Sequence, residues 1–329
     1  MIPQDSRLSV VTEDSPHEPD LITVFTPTYN RADRLPLCYK SLLAQTYRNF
    51  YWLIIDGGST DNTRSIVEGW KQDGLLRIEY HLNDHEGYYQ AMDNGFALAR
   101  TEFVVVLDSD DTLAPNALRG YLDCWYSIPA ERRPSFAGVK GLCIDEEGNI
   151  IGDAFPDSPW DANTLIKHYQ YRIRGDKRGL TRKSVWLECS PDQPPYCLSW
   201  PRISRKYKTR YTNEALYIAH TSKSIANRMT TSGSGSRDVA VSFLQLARIL
   251  REDFDFLRLR PLEHIVHVCL FADYGIRSGK HVRDLLGEVR DGRTRAACLG
   301  LFYPILVVNL LPRSARRFFR LLLRRLFTH

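Results

Sequence analysis

No two of the seven cysteines (Cys38, Cys124, Cys143, Cys189, Cys197, Cys269, Cys298) stand as a Cys-x-x-Cys pair, and their number is odd. A zinc ribbon and a disulfide framework are thereby excluded, and a reducing cytosol is the expected compartment. No Gly-x-Gly-x-x-Gly follows the first apolar run, and no Gly-x4-Gly-Lys-Ser/Thr occurs. A dinucleotide-binding fold and a P-loop NTPase therefore both lack their phosphate cradle. Long apolar runs are missing too. Leu299 to Leu311 is apolar for thirteen residues and is interrupted by Pro304 and Asn309, whereas a membrane-spanning helix needs about 20. Residues 1–20 have no apolar signal-peptide core; they are polar, acidic and proline-bearing, and are expected to form a disordered tail. Acidic residues are absent after Asp291, where Arg293, Arg295, Arg313, Arg316, Arg317, Arg320, Arg324 and Arg325 accumulate. That asymmetry points to an anionic surface as partner, either a membrane or a nucleic acid.

What is present is an ordinary globular composition, 43% hydrophobic and 25% charged, with a net charge of +5 over 329 residues. This length can bury a full core, as one large domain with an extension. Apolar runs at Leu21–Phe25, Tyr51–Ile55, Arg77–Tyr80 and Val104–Leu107 alternate with helical patterns over Leu35–Gln45, Thr60–Lys71 and Tyr88–Ala99. The succession β-α-β-α-β-α-β predicts an α/β domain with a mostly parallel sheet. The continuous, β-branched character of the strands predicts that both sheet faces are covered.

Three of these strands end in polar loops: Thr26-Pro27-Thr28-Tyr29-Asn30-Arg31, Asp56-Gly57-Gly58-Ser59-Thr60-Asp61 and Asp108-Ser109-Asp110-Asp111. In an open α/β sheet such loops converge outside the carboxyl ends of the strands, where ligands bind. The paired glycines supply close backbone approach or a positive φ. Three carboxylates within four residues repel one another, and burial would raise their pKa values unless a cation neutralised them; Mg2+ or Mn2+ suits such an oxygen set. The plainer reading makes Asp110 or Asp111 the N-cap of a helix beginning near Leu113-Ala114-Pro115.

The three loops, in this order and joined by Gly87-x3-Ala91-x2-Asn94-Gly95, resemble glycosyltransferase family 2, of the GT-A fold. The stretch Trp200 to Ile218 resembles the later part of bacterial members. The resemblance implies a Rossmann-like sheet flanked by helices that binds a nucleotide-sugar, a UDP-sugar foremost, through a divalent Mn2+ or Mg2+. It implies that Thr26, Pro27 and Tyr29 cradle the nucleoside with Arg31 near by, and that Asp56 and the turn at Gly57 meet the base. Asp110 would face the ribose or metal, and Asp111 would be the principal metal ligand, with Asp108 orienting the group and His220 a candidate ligand or phosphate contact. Two departures stand out. Many members carry a second Asp where this chain has Gly57, and relatives often carry Lys-His where it has Tyr88-Tyr89.

The resemblance divides the chain into a tail (1–20), a GT-A domain (21–236) with a donor half (21–125) and an acceptor half (126–236), and a helical extension (237–329). Within the acceptor half, Asp145 to Gly148 predicts a hairpin turn, and the Ser/Thr/Gly-rich stretch Ser222–Ser236 a mobile loop. An inverting transferase needs a carboxylate to take the acceptor's proton. The resemblance places an acid four residues before Trp200, where this chain has Tyr196. Glu188 and Asp192 are the nearest candidates, and a catalytically silent nucleotide-sugar-binding relative is the alternative. A sugar nucleotidylyltransferase is a further rival, but it would want a lysine-containing glycine-rich loop after the first strand. In the extension, Val239, Phe243, Leu246 and Leu250 form one apolar stripe, and Leu262, Ile265, Val266, Cys269 and Leu270 a second. Arg313, Arg317, Arg320 and Arg324 stripe one face of a final helix, with Ala315, Phe319, Leu322 and Leu326 on another. Such a helix lies in an anionic membrane surface, and no nucleic-acid motif supports the other partner. A cytoplasmic protein, peripheral on the inner membrane face, acting on a saccharide or lipid-linked acceptor in surface-glycan assembly, is therefore expected.

Overall fold

The computed structural model describes residues 22–83, 88–190, 199–220 and 261–277, with scattered positions between 246 and 300. Its first half carries β1 (Ile22–Thr28), α1 (Leu35–Leu43), β2 (Phe50–Asp56), α2 (Thr63–Asp73), β3 (Ile78–Leu82), α3 (Tyr88–Leu98) and β4 (Phe103–Val106). All seven are the expected elements, with ends moved by a few residues. After them come β5 (Thr112–Leu113), α4 (Ala117–Tyr126), β6 (Phe136–Ile144), β7 (Trp160–Ala162), β8 (Lys177–Arg178) and β9 (Leu180–Arg182). Then follow α5 (Lys183–Cys189), α6 (Ser199–Lys206), β10 (Lys208–Ile218) and α7 (Pro261–Arg277).

One sheet runs through the molecule in the order β3-β2-β1-β4-β9-β6-β10-β5, with β7 beside β10 and β8 beside β6. Strands β1 to β4 are parallel throughout: β2 and β4 flank β1, and β3 flanks β2. Beyond β4 the sheet becomes mixed, because β9 runs antiparallel to both β4 and β6 while β10 runs parallel to β6. The parallel character read from the sequence holds through β1–β4 and returns in the β6–β10 pair, with antiparallel strands between and beside them.

The unbroken apolar runs are explained by the two-residue period of a strand dividing one run between two cores. Ile22, Val24, Trp52, Ile54, Phe103 and Val105 face a core completed by α1, α2 and α4. Phe25, Leu53, Ile55, Val104 and Val106 face a second core completed by α3, α5 and α6. Gly95 has a packing reason within the second: a Cβ there would lie 2.4 Å from the Phe25 ring, so α3 reaches the sheet only with no side chain at this position. The helix α2 ends at Gly74 in the left-handed conformation, φ 65°, a glycine stop.

Two expectations change. Asp110 and Asp111 cap no helix; Thr112 and Leu113 form β5 against β10, and α4 begins only at Ala117. In α7 the described buried positions are Val268, Phe271, Ala272, Asp273 and Gly275, while Ile265, read from the sequence as part of the apolar stripe, is exposed and Cys269 and Leu270 are half-buried; the side chains of Leu262 and Val266 lie outside those described. Leu246 and Leu250 are buried as expected. The hairpin turn is present: Asp145 N–H donates to the Asn149 carbonyl and Ile144 bridges Ile150. The tail 1–20, Asp192, Tyr196, the loop 222–236, Val239, Phe243 and the stretches 301–311 and 313–326 lie outside the described residues. Among the described residues no helix is long and apolar enough to cross a membrane.

Candidate functional site at the carboxyl edge of the parallel strands

Because β1, β2 and β4 are parallel neighbours, their three polar ends open on the same edge of the sheet. The first two loops are stitched together by side chains acting on backbone. Asn30, held at φ 51°, accepts from the Thr60 N–H through Oδ1 (2.8 Å), and its own N–H donates to Ser59 Oγ (2.7 Å). Asp61 Oδ2 accepts from the Ala32 N–H (3.0 Å) and its Oδ1 from the Thr63 N–H (3.0 Å). The Arg31 N–H donates to Thr63 Oγ1 (3.1 Å). Gly58 supplies the positive φ of the turn, 84°, while the Gly57 N–H donates to the Thr28 carbonyl (2.9 Å).

The residues expected to hold a nucleoside divide by depth. Tyr29 is 43% exposed at the rim, whereas Arg31 is nearly buried. Pro27 lies within β1, opposite Ile55. Thr26 is fully buried and accepts the Trp52 indole N–H at 2.8 Å, which makes its side chain a support beneath the edge. Asp56 is also fully buried; it accepts the Ser59 N–H (2.7 Å) and the Tyr80 hydroxyl (2.6 Å). Thr28, at the end of β1, has a buried Oγ1 with no hydrogen-bond partner. Such orphans are rare and call for an explanation; one at the mouth of the edge is where a ligand's polar atom would satisfy it.

The third loop is held from below and from the side. Cys38 on α1 donates its thiol to the Asp111 carbonyl at 3.1 Å. The Asp108 carboxylate takes the Arg178 guanidinium at 2.5 Å and the Tyr88 hydroxyl at 3.3 Å. Asp111 accepts the Tyr217 hydroxyl on Oδ2 (2.8 Å) and the His220 backbone N–H on Oδ1 (2.9 Å). The same Tyr217 hydroxyl accepts the Asp108 N–H at 3.1 Å, so one tyrosine on β10 clamps both acids. The His220 ring lies between Thr112 Oγ1 (3.1 Å) and Glu146 (3.6 Å).

Burial raises the Asp108 pKa, and Arg178 works against that rise. Asp111 is pushed up to about 7, chiefly by burial and then by the Asp108 charge, despite its two hydrogen bonds. Arg178 is held well above its usual value: burial acts against its charge, and the Asp108 carboxylate more than offsets it. An acid this reluctant to ionise, beside a second acid, is an environment short of positive charge. Each Asp111 oxygen accepts one hydrogen bond and keeps further lone-pair capacity, and Asp110 is half-exposed beside it. The donor set therefore fits a hard divalent cation, although among the described residues no three metal-ligating side chains converge into a ready-made cage.

Glu188, one candidate base, fares differently. It sits on the outer side of α5, where Tyr207 donates at 2.5 Å and Lys206 at 3.0 Å. The Tyr207 hydrogen bond and the Lys206 contact lower its pKa, the reverse of what a general base requires. The sequence signals also gave no role to Arg178 or Tyr217, and marked Tyr88 only as a departure from relatives. Arg178 lies seventy residues from its partner Asp108 in a two-residue strand with no periodicity, so only the folded register brings the pair together.

The family model described as glycosyl transferase family 2 matches residues 23–129, spanning all three loops. The chain is 33% identical over 241 residues to GalNAc(5)-diNAcBac-PP-undecaprenol beta-1,3-glucosyltransferase of Campylobacter jejuni, covering 70% of this chain and 74% of that one. The chain belongs to glycosyltransferase family 2. It is also 35% identical over 100 residues, 30% of its length, to the glycosyltransferase GlyG of Streptococcus pneumoniae serotype 4, of which it spans about a third (33%). Among solved structures, S. aureus TarS 1-349 in complex with UDP-GlcNAc matches with a TM-score of 0.56 at 16% identity, over 90% of this chain and 82% of that one. That likeness shows the GT-A fold. The three loops open together on one strand edge, and the mixed half of the sheet meets them at the Asp108–Arg178 pair.

Proposed function

We propose that this protein is a divalent-metal-dependent glycosyltransferase that moves a sugar, with inversion, from a UDP-sugar to a saccharide or lipid-linked acceptor. The observation that carries this reading is the convergence of three strand-end loops on one edge around two neighbouring carboxylates, Asp111 buried and Asp108 half-buried. In it, the first two loops hold the nucleoside: Tyr29 supplies an exposed aromatic face, and Thr28 Oγ1 gains a partner. Asp110 and Asp111 would hold the cation, with His220 adjacent. When bound, Mn2+ or Mg2+ neutralises the charge that develops on the departing nucleoside diphosphate. Arg178 and Tyr217 keep the acids in place, and Arg178 sets a fixed positive charge where relatives carry a Lys-His pair near residues 88 and 89. Asp192 is the remaining candidate to take the acceptor's proton.

A specific observation favours a second reading, a member that binds nucleotide-sugar without turnover: Tyr196 stands where an acid is expected, and Glu188 is engaged by Lys206 and Tyr207. The two separate on one assay, the release of UDP from a panel of UDP-sugars with Mn2+ and polyprenyl-diphosphate-linked saccharides. Cation-dependent release with a glycosylated product supports the transferase. Binding with no release supports the silent relative, and neither binding nor release defeats both. The arginine-striped stretch 313–326 would attach the enzyme to the cytoplasmic membrane face. Co-sedimentation with anionic liposomes should fall when the chain is ended at Arg295, and equal pelleting would remove that claim.

A further inference from the structure

The two residues of β8 turn their side chains in different directions. Arg178 reaches Asp108 in the site just described. Lys177 lies over the Phe155 ring, with Nζ 5.6 Å from its centroid, and donates to the Ile151 carbonyl at 3.3 Å. Phe155 belongs to a separate recess of about 250 Å3, lined also by Asp153, Tyr171, Arg172 and Ile173. One residue along the chain therefore separates this recess from the acids of the catalytic edge.

Aromatic side chains build its walls. Phe155 packs against Tyr211 (4.7 Å) and Trp160 (6.0 Å), and Tyr171 meets Trp160 edge-on at 4.9 Å. Tyr171 is nonetheless 48% exposed, so a braced ring presents itself to solvent. The polar groups come from the two segments that form the rim. They cross where backbone touches backbone: a Cβ on Gly152 would lie 2.3 Å from the Arg174 carbonyl, and one on Gly175 would lie 2.2 Å from that of Ile151. Asp153 Oδ2 ties them together, accepting the Arg174 N–H at 2.8 Å and its Nε–H at 3.2 Å. Between them Arg172 is exposed and held at φ 58°. Among the described residues its guanidinium enters no hydrogen bond or ion pair.

An aromatic face flanked by a donor and an acceptor is the chemistry that recognises a sugar ring. The C–H face packs on the aromatic ring, and hydroxyls both donate and accept. The recess is smaller than the roughly 300–1,000 Å3 of sites for drug-sized ligands. It therefore suits a single pyranose ring rather than a nucleotide-sugar. It also lies on the mixed half of the sheet, beyond Arg178 from the donor loops. We propose that the Asp153–Phe155–Tyr171–Arg172 recess is a saccharide subsite that holds an acceptor ring distant from the reacting hydroxyl. This rests on the glycosyltransferase reading above.

The test is nuclear magnetic resonance of the full chain with 15N-labelled indoles, the Trp160 signal being identified by its loss in Trp160→Phe. Glucose, N-acetylglucosamine, N-acetylgalactosamine and glucuronic acid are titrated separately, and UDP-GlcNAc with Mn2+ in parallel. At least one free sugar should shift the Trp160 signal. Tyr171→Ala should weaken that binding about tenfold, and Arg172→Gly, which keeps the positive φ, roughly threefold to tenfold. Tyr171→Phe, retaining the ring, should bind as wild type, and Asp111→Ala should leave the titration unchanged. The subsite is overturned if no sugar moves the Trp160 signal, or if the shift survives Tyr171→Ala and Arg172→Gly combined, whatever UDP-GlcNAc does. Sugar binding at Trp160 with no nucleotide-sugar binding anywhere would instead overturn the acceptor role together with the reading it rests on.

Discussion

The first and second halves of this sheet are built on different plans. In the first, β1, β2 and β4 are parallel, each buried on both faces, and each hands its loop to the same edge. Position along the chain there predicts position in space. In the second, β9 reverses direction between β4 and β6, β8 contributes two residues, and β10 is bulged against β6 and shared with β5 and β7. The residues that meet Asp108 and Asp111 from this side, Arg178 and Tyr217, come from distant stretches. The first half supplies acids that repel one another, with Cys38 and Tyr88 beside them, and the second supplies Arg178, Tyr217 and the His220 N–H that pin the two carboxylates. If that division is right, substitutions in the two halves should fail differently.

The largest effect is expected at Asp111. Asp111→Asn should reduce cation-dependent transfer on the order of 10^3-fold, as when a group stabilising a charged transition state is removed. Its effect on stability should have the opposite sign. With a folded pKa of about 7 against an ordinary value of 3.8, the native state holds a proton that the unfolded state has lost. Wild-type stability without divalent cation should therefore fall as pH rises from about 4 to 7, by up to ~4 kcal/mol. Thermal melts in EDTA should show the Asn variant gaining on wild type across that window, and a flat difference would refute the electrostatic account. Next is Arg178→Met, which strands Asp108 without its cation. The pair is half-buried, so breaking it should cost less than the roughly 3–5 kcal/mol of a fully buried one, read as a lowered denaturation midpoint. Arg178→Lys should restore only part, since a point charge cannot reproduce the planar fork.

The same division explains what could be read in advance. TPTYNR, DGGST and DSDD each follow an apolar run directly, so strand periodicity alone carried them to one edge. The acids' partners had no such marker. Arg178 sits among ordinary charged residues, and Tyr217 is one apolar-looking position in a long strand; their roles arise from register. Thr26 differs in the opposite sense, because a loop motif does not reveal that its first three residues, Thr26 to Thr28, still lie inside the strand. The N-cap reading of Asp110 and Asp111 failed because β5 forms only through pairing with β10, a partner about a hundred residues away. Gly95 was legible as a motif glycine, and its physical cause is the Phe25 ring. Gly95→Ala should therefore cost about 1–3 kcal/mol by overpacking, with full cation affinity retained, measured by denaturant titration and calorimetry.

The smallest effect belongs to Glu188. Its partners Lys206 and Tyr207 lie on the solvent side of α5 and α6, and exposed pairs contribute little. Glu188→Gln should leave transfer within about twofold of wild type, measured with saturating donor; a loss of a hundredfold or more would restore it as the base.

Calorimetric titration of UDP-sugars into wild type and Asp111→Ala, each with and without Mn2+, tests the central claim most directly. The claim predicts that wild type binds at least one UDP-sugar tightly only when Mn2+ is present, and that Asp111→Ala abolishes the difference Mn2+ makes. Binding that is indifferent to Mn2+, or unchanged in Asp111→Ala, would contradict it.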